Sequence, residues 1–259
     1  MNSQSGLRVM AIIPARYASS RFPGKPLATI GGVEMIVRVC NQVSKTGVEV
    51  LVATDSEAIR ECVERAGYRA VMTSEHHRTG TDRVREAYDK IGAEMDVIVN
   101  VQGDEPFIDP SQIEALIACF DDPGTDIATL SRRFDPERGF EALFDVNLVK
   151  VVTALDGRAL YFSRSIIPYV RGVDWQQWLK TTDFKTHVGV YAYRPDVLRA
   201  ISELPQSELE KAESLEQLRW LENGYRIKVA ETSAPTIGID TPADLEEAER
   251  YLKEIEKNG

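Results

Sequence analysis

Along the first half of the chain, short unbroken apolar runs alternate with amphipathic stretches. Val9 to Ile13 is such a run, ending at Pro14, the pattern of a buried strand that opens into a loop. Met35, Ile36, Val39, Cys40 and Val43 then recur at helical spacing. A second run, Val48 to Ala53, closes on Thr54 and Asp55. The helix after it is marked by Ile59, Cys62, Val63 and Ala66, with Ser56 as its N-cap and Gly67 at its end. Tyr68 to Met72 reads as a third strand. Val97 to Val101 reads as a fourth, before a helix carried by Ile113, Leu116, Ile117 and Phe120.

Strand and helix in this alternation predict an α/β fold with a mainly parallel, twisted, Rossmann-like sheet. Ligands of such sheets gather at the C-terminal strand ends. The polar residues there are Arg16, Asp55, Gln102, Asp104 and Glu105.

The second half is less regular and predicts a smaller mixed sheet with a lid. Leu148 to Ala154 and Ala159 to Ser163 read as strands split by an Asp156-Gly157 turn, and Lys185 to Tyr193 as another. Leu209 to Leu221 is expected as one helix stopped by Asn223-Gly224, followed by a strand from Tyr225 to Ala230. Thr241 to Ile255 is the closing helix, with Thr241 as cap, Pro242 in the first turn and Asp244 in the capping-box position. Residues 175–184 fit no period and are expected to be a loop, a lid or an interface. Without repeats or a low-complexity linker, residues 1–259 are expected to form one domain. Its nucleotide half would span about residues 8–130 and its sugar-binding and dimerisation half about 131–240, with the C-terminal helix at 241–259.

Composition narrows the function. A formal charge of −10 argues against coating a nucleic acid, which requires clustered cations. The three cysteines, Cys40, Cys62 and Cys119, are odd in number and far apart, which disfavours a disulfide framework or a CxxC site. No stretch has the length or polarity of a membrane span or a secretory leader, so a cytoplasmic protein is expected.

The segment Ile13 to Leu27, IPARYASSRFPGKPL, carries the clearest chemistry. Small residues (Ala15, Ala18, Ser19, Ser20, Gly24) would let main-chain N–H groups approach phosphate oxygens, and Arg16, Arg21 and Lys25 would neutralise them. It is not a P-loop, because Pro26 follows Lys25. Asp104, in QGDEP after the fourth strand, is placed to hold Mg²⁺, a hard cation that takes oxygen ligands. Asp240, after Thr236 to Ile239, is the second candidate. Arg164 at a strand end could pair with a carboxylate. Thr79, Gly80 and Thr81 are expected to form a tight turn ahead of a helix through Tyr88. His187 and Tyr191 share a strand face by the period of two.

The loop PARxxSxRxPGKPL resembles that of the sugar nucleotidyltransferases, and ARYASSRFPGKPLA is closest to the 3-deoxy-manno-octulosonate (KDO) cytidylyltransferase family. HRTGTDR (His77 to Arg83), VNVQGDEPFI (Val99 to Ile108), LYFSRSIIPY (Leu160 to Tyr169), LEQLRWLENG (Leu215 to Gly224) and GIDTPADLE (Gly238 to Glu246) match in order. The resemblance runs from about residue 8 to the C-terminus. It implies the nucleotide-diphospho-sugar transferase type of fold, and transfer of CMP from CTP to the anomeric hydroxyl of KDO with release of pyrophosphate, for lipopolysaccharide biosynthesis. It further implies Mg²⁺ on Asp104 and Asp240, and a homodimer. The family's nucleotide contacts fall on Ala15, Arg16, Ser19, Ser20, Arg21, Lys25, Arg78, Thr79, Gly80 and Gln102. Its sugar contacts fall on Gln102, Arg164, His187, Tyr191, Glu216 and Gln217, and Lys25, Arg16 and Asp104 would be catalytic. Taken alone, the residues leave open another sugar acid or nucleotide, a metal-dependent glycosyltransferase, or a nucleotide sensor.

Overall fold

Four of the apolar runs pair side by side and in parallel. β1 (Val9–Ala15) has Met10 to Ile13 almost fully withdrawn from solvent. β2 (Glu49–Thr54) pairs along one edge of it, and β3 (Arg69–Met72) extends the sheet beyond β2. β4 (Val97–Asn100) pairs along the other edge. Parallel strands covered on both faces carry continuous rather than alternating apolar residues, which is why no period of two shows in these runs. The computed structural model describes residues 6–18 and 22–258. It resolves into two compact units, Met1–Glu114 with Ala234–Gly259, and Ala115–Ser233.

In the first unit, parallel pairing demands crossovers. They are supplied by α1 (Met35–Ser44), α2 (Glu57–Arg65) and α3 (Gly80–Ile91). Ser56 occupies the N-cap of α2 without a side-chain bond. Thr79 caps α3 by accepting from the Asp82 N–H at 3.1 Å, so the expected turn is the helix's own first turn. α4 (Pro110–Ala118) begins where Asp109 accepts from the Ser111 N–H at 2.8 Å. The closing helix, Pro242–Asn258, is held at its start by a reciprocal pair. The Asp244 carboxylate accepts from Thr241 N at 2.8 Å, and Thr241 Oγ1 accepts from Asp244 N at 3.3 Å. Ile239 and Ala248 pack with Ile30 and Met35, fixing this C-terminal segment against the start of α1 in the same unit.

The second unit is a mixed sheet. β5 (Ile127–Arg133) runs antiparallel to the long β8 (Lys185–Tyr193) and parallel to β9 (Ile227–Glu231), while β6 (Lys150–Thr153) pairs antiparallel with both β7 (Ala159–Ser163) and β8. Residues 175–184 form a 3-10 turn, Trp175–Gln177, and α5 (Trp178–Thr181). Trp178 and Phe184 are buried with Phe134, Phe140 and Leu143. Aromatic packing of this kind needs no sequence period, hence the silence of the pattern. α6 (Pro195–Ser202) follows.

The helix expected over 209–221 is two helices, α7 (Glu208–Glu213) and α8 (Glu216–Glu222). Ser214 between them is left-handed, with φ 51°. The carbonyls of Glu213 and Ser214 are taken by the Arg164 guanidinium instead of by helical N–H groups, so the first helix ends there. Among the described residues, no helix is long and apolar enough to cross a membrane. All three cysteines are buried free thiols.

Candidate active site

The first unit holds a cavity of about 250 Å³ at the C-terminal ends of β1 and β4. The last residue of β1, Ala15, and the next, Arg16, line it. Beyond them Gly24, at φ 70°, turns the chain so that Lys25 opens a short 3-10 turn (Lys25–Leu27) with Pro26 buried behind it. Arg78, Thr79 and Gly80 contribute the start of α3, and Gln102 and Asp104 the end of β4. Ser19, Ser20 and Arg21 lie outside the described residues.

Asp104 and Asp240 are brought together by the main chain. The Ile239 N–H donates to the Asp104 carbonyl at 3.0 Å, and Asp244 accepts from the Asp240 N–H at 2.9 Å, which aligns the second carboxylate beside the first. Lys25 Nζ bridges them, at 2.7 Å from Asp104 Oδ2 and 3.1 Å from Asp240 Oδ1. A single ammonium thus compensates two carboxylates in a site whose carboxylates would otherwise repel. The neighbouring Glu105 carboxyl is pushed up to about 7, by burial first and then by the charges of Asp104 and Asp240. Its Oε2 is buried with no hydrogen-bond partner.

The donor set fits a divalent cation with oxygen preference. Two carboxylates close enough to share one cation suit Mg²⁺, which commonly takes one or two carboxylates and completes its shell with water and substrate phosphate. Among the described residues no group of three or more His, Cys, Asp or Glu side chains is placed to hold a metal ion.

Pattern reading missed several residues of this cavity. His77 lines it and pairs with Glu86 of α3. Partial burial raises the Glu86 carboxyl, but bonds from Lys90, the Ser74 N–H and His77 outweigh it and hold that carboxyl down at about 2. Arg83 lines it as a buried cation, bonded to Thr73 Oγ1 at 2.6 Å and Asp55 Oδ2 at 2.7 Å. Both sit inside the string HRTGTDR, but a single sequence assigns them no direction. Gly103 lets the Gln102–Asp104 segment pass close to β1: a Cβ there would lie 2.9 Å from the Pro14 carbonyl oxygen.

The sugar-side candidates other than Gln102 lie in the second unit. A strand irregularity separates His187 from Tyr191: Val188 pairs with Leu130, yet Tyr191 pairs with the adjacent Thr129. Two extra residues preserve the alternation, so the rings stay together, with centroids 5.4 Å apart. His187 Nε2 bonds Thr129 Oγ1 at 2.9 Å, and burial pushes its imidazole down to about 3, so it is neutral at physiological pH. Burial, with help from Tyr193 and Glu216, pushes the Tyr191 phenol well up, leaving it a protonated donor. Trp220 of α8 packs edge-on to Tyr191 at 5.1 Å, which brings the helix bearing Glu216 and Gln217 to the same strand. Gln217 is buried, and Glu216 accepts from Arg219 at 2.7 Å. Arg164 is held by main-chain acceptors. Its guanidinium donates to the carbonyls of Glu213 (2.6 Å), Val146 (2.7 Å) and Ser214 (3.3 Å).

Comparison with known proteins identifies the family. The cytidylyltransferase family model matches residues 10–228. The 3-deoxy-manno-octulosonate cytidylyltransferase of Phocaeicola vulgatus is 58% identical over 250 residues, covering 96% of this chain and 99% of its own. That of Bacteroides thetaiotaomicron is 56% identical over 247 residues, covering 95% and 99%. A solved CMP:2-keto-3-deoxy-manno-octonic acid synthetase complexed with CTP superposes with a TM-score of 0.87 at 42% identity, covering 95% of this chain and 99% of that one. With a match of this extent, and with cationic loop and paired carboxylates in place, the chain belongs to the cytidylyltransferase family.

Proposed function

We propose that this chain transfers CMP from CTP to the anomeric hydroxyl of KDO, giving CMP-KDO and pyrophosphate. The observation that carries the reading is the Asp104–Lys25–Asp240 cluster beside a cationic loop at a strand end, in a chain 58% identical to a 3-deoxy-manno-octulosonate cytidylyltransferase.

The anomeric oxygen attacks the α-phosphorus in line, forming one P–O bond as the bond to the β-phosphate oxygen breaks. The hydroxyl proton passes to solvent. Catalysis of this kind rests on placement and charge neutralisation rather than on a covalent protein adduct. Lys25 meets the equatorial oxygens of the reacting phosphorus, and Arg16 the departing pyrophosphate. Ala15, Arg78, Thr79, Gly80 and Gln102 hold the nucleotide, together with Ser19, Ser20 and Arg21. Asp104 and Asp240 would hold Mg²⁺, which when bound neutralises phosphate charge and favours the ionised hydroxyl.

On the sugar side, the neutral His187, the protonated Tyr191, Glu216, Gln217 and Gln102 bind hydroxyls. Arg164 exchanges carbonyl partners for the substrate carboxylate, a stronger, charge-assisted acceptor. The nucleotide half, about residues 8–130, and the sugar half, about 131–240, act as one catalytic domain. The chain works in the cytoplasm as a homodimer serving lipopolysaccharide synthesis. Exposed Phe144, Tyr169 and Trp175 on the sugar half support a partner surface there.

The test is product analysis by mass after incubation with Mg²⁺, KDO and each of CTP, UTP, GTP and dTTP. CMP-KDO and pyrophosphate are expected from CTP. Equal turnover of all four nucleotides, or none of CTP, would overturn the reading.

A further inference from the structure

Asp55 and Arg83 have no part in the chemistry above, yet they join its loop to the sheet. Asp55 follows β2 and Arg83 lies on α3; only 11% and 4% of their side chains are exposed, and they meet at 2.7 Å. Arg83 also donates to Thr73 Oγ1, and the Thr73 N–H donates to the Thr54 carbonyl at 2.8 Å, so the guanidinium is fixed to the ends of β2 and β3 together. The Asp55 carboxylate divides its two oxygens. Oδ2 takes Arg83, and Oδ1 accepts from the main-chain N–H of Tyr17 at 3.2 Å. Tyr17 is tied at its other end as well, its carbonyl accepting from Gly24 N at 3.0 Å, one residue before Lys25.

We propose that Asp55 and Arg83 are positioning residues for the nucleotide loop. The ion pair holds the Tyr17 main chain, and through Tyr17 it sets where Arg16 and Lys25 stand in the cavity. Charge supports this division of labour. Arg83 lines the same cavity as Arg16, but its cation is matched by a buried carboxylate, so its contribution is to fix an anchor rather than to neutralise phosphate. Main-chain ties of this kind fix where a surface loop enters and leaves the sheet.

The kinetic part rests on the CTP reading, so the deciding measurement uses no ligand. Hydrogen–deuterium exchange of the full chain is compared between wild type and Asp55→Asn, with β4 as the internal reference. Exchange of the amides of Tyr17, Gly24 and Lys25 is expected to quicken about tenfold or more, as befits loss of a charge-assisted tie, while β4 stays protected. Unchanged loop exchange in the folded variant overturns the proposal. If β4 loses protection equally, Tyr17→Pro takes over, since it deletes the N–H at a half-exposed position and Tyr17→Ala controls for the lost ring. Against Tyr17→Ala, which keeps that N–H, it is expected to quicken exchange at Gly24 and Lys25, and equality of the two overturns the proposal. In kinetics, Asp55→Asn is expected to raise the KM for CTP about tenfold and leave that for KDO unchanged. A merely structural pair would lower the active fraction, and so apparent kcat, at constant KM. A wild type that releases no pyrophosphate from CTP and KDO would tell against the functional reading and leave the exchange result standing.

Discussion

Lys25 Nζ lies 2.7 Å from Asp104 Oδ2, so the loop after β1 and the end of β4 meet through an ion pair. The same ammonium reaches Asp240, 215 residues further along the chain, at 3.1 Å. Three segments without any sequence proximity thereby share one electrostatic centre, and a single ammonium partly offsets two carboxylates while lining the same cavity.

Replacing Lys25 by Met removes the compensating charge and, on the proposed reading, the cation offered to the transition state. A fall in kcat of about 10²–10³ is expected, the usual cost of losing one such contact, with a smaller change in the KM for CTP. Steady-state pyrophosphate release measures both constants. A kcat within threefold of wild type would place Lys25 outside the reacting centre.

Asp104→Asn keeps the shape of the side chain and one oxygen but removes its charge. The divalent-metal activation curve is expected to shift to higher concentration by more than about tenfold, since loss of even an outer partner of a metal ligand costs that much. Titrating Mg²⁺ against initial rate decides the matter. A superimposable curve would remove Asp104 from the metal's shell, and Asp240→Asn tests the second ligand in the same way.

Gly103→Ala tests a close approach of two chain segments rather than a charge. Its Cβ would meet the Pro14 carbonyl at 2.9 Å, backbone against side chain, so β1 or the Gln102–Asp104 segment must shift. Destabilisation of about 1–3 kcal/mol is expected, typical of overpacking, together with loss of activity out of proportion to the loss of folded protein. Denaturant unfolding and kcat measured on one preparation separate the two effects.

Glu86 makes stability depend on acid. Its folded carboxyl titrates at about 2 against an ordinary 4.5, so the unfolded chain binds the proton more readily. Its contribution is therefore complete above about pH 4.5 and lost as pH falls towards 2. The shift converts to about 3 kcal/mol, which the side chain's partial exposure brings down to about 2 kcal/mol. Glu86→Gln should be less stable than wild type at pH 6, and the gap should narrow by pH 3. A gap independent of pH in urea unfolding would show that the His77, Lys90 and Ser74 contacts do not hold the ionised form.

The sequence by itself determined the strands of the first unit, because continuous apolar runs closed by polar residues are what a parallel, doubly covered strand requires. It also marked Arg16, Lys25, Gln102 and Asp104, since strand-end loops with cations or carboxylates announce themselves locally, and it placed the cap of the closing helix. The tertiary structure decided what depended on partners far away in the chain. Whether Leu209 to Leu221 would be one helix or two turned on Arg164 claiming the carbonyls at 213 and 214. Whether His187 and Tyr191 kept a common face turned on how many residues the irregularity of β8 inserts opposite β5. The pairing of Arg83 with Asp55, 28 residues apart, is likewise a relation between side chains that meet only after α3 has packed beside β2. Local pattern records the backbone period and the need to bury apolar surface; it holds no record of which charge will find which.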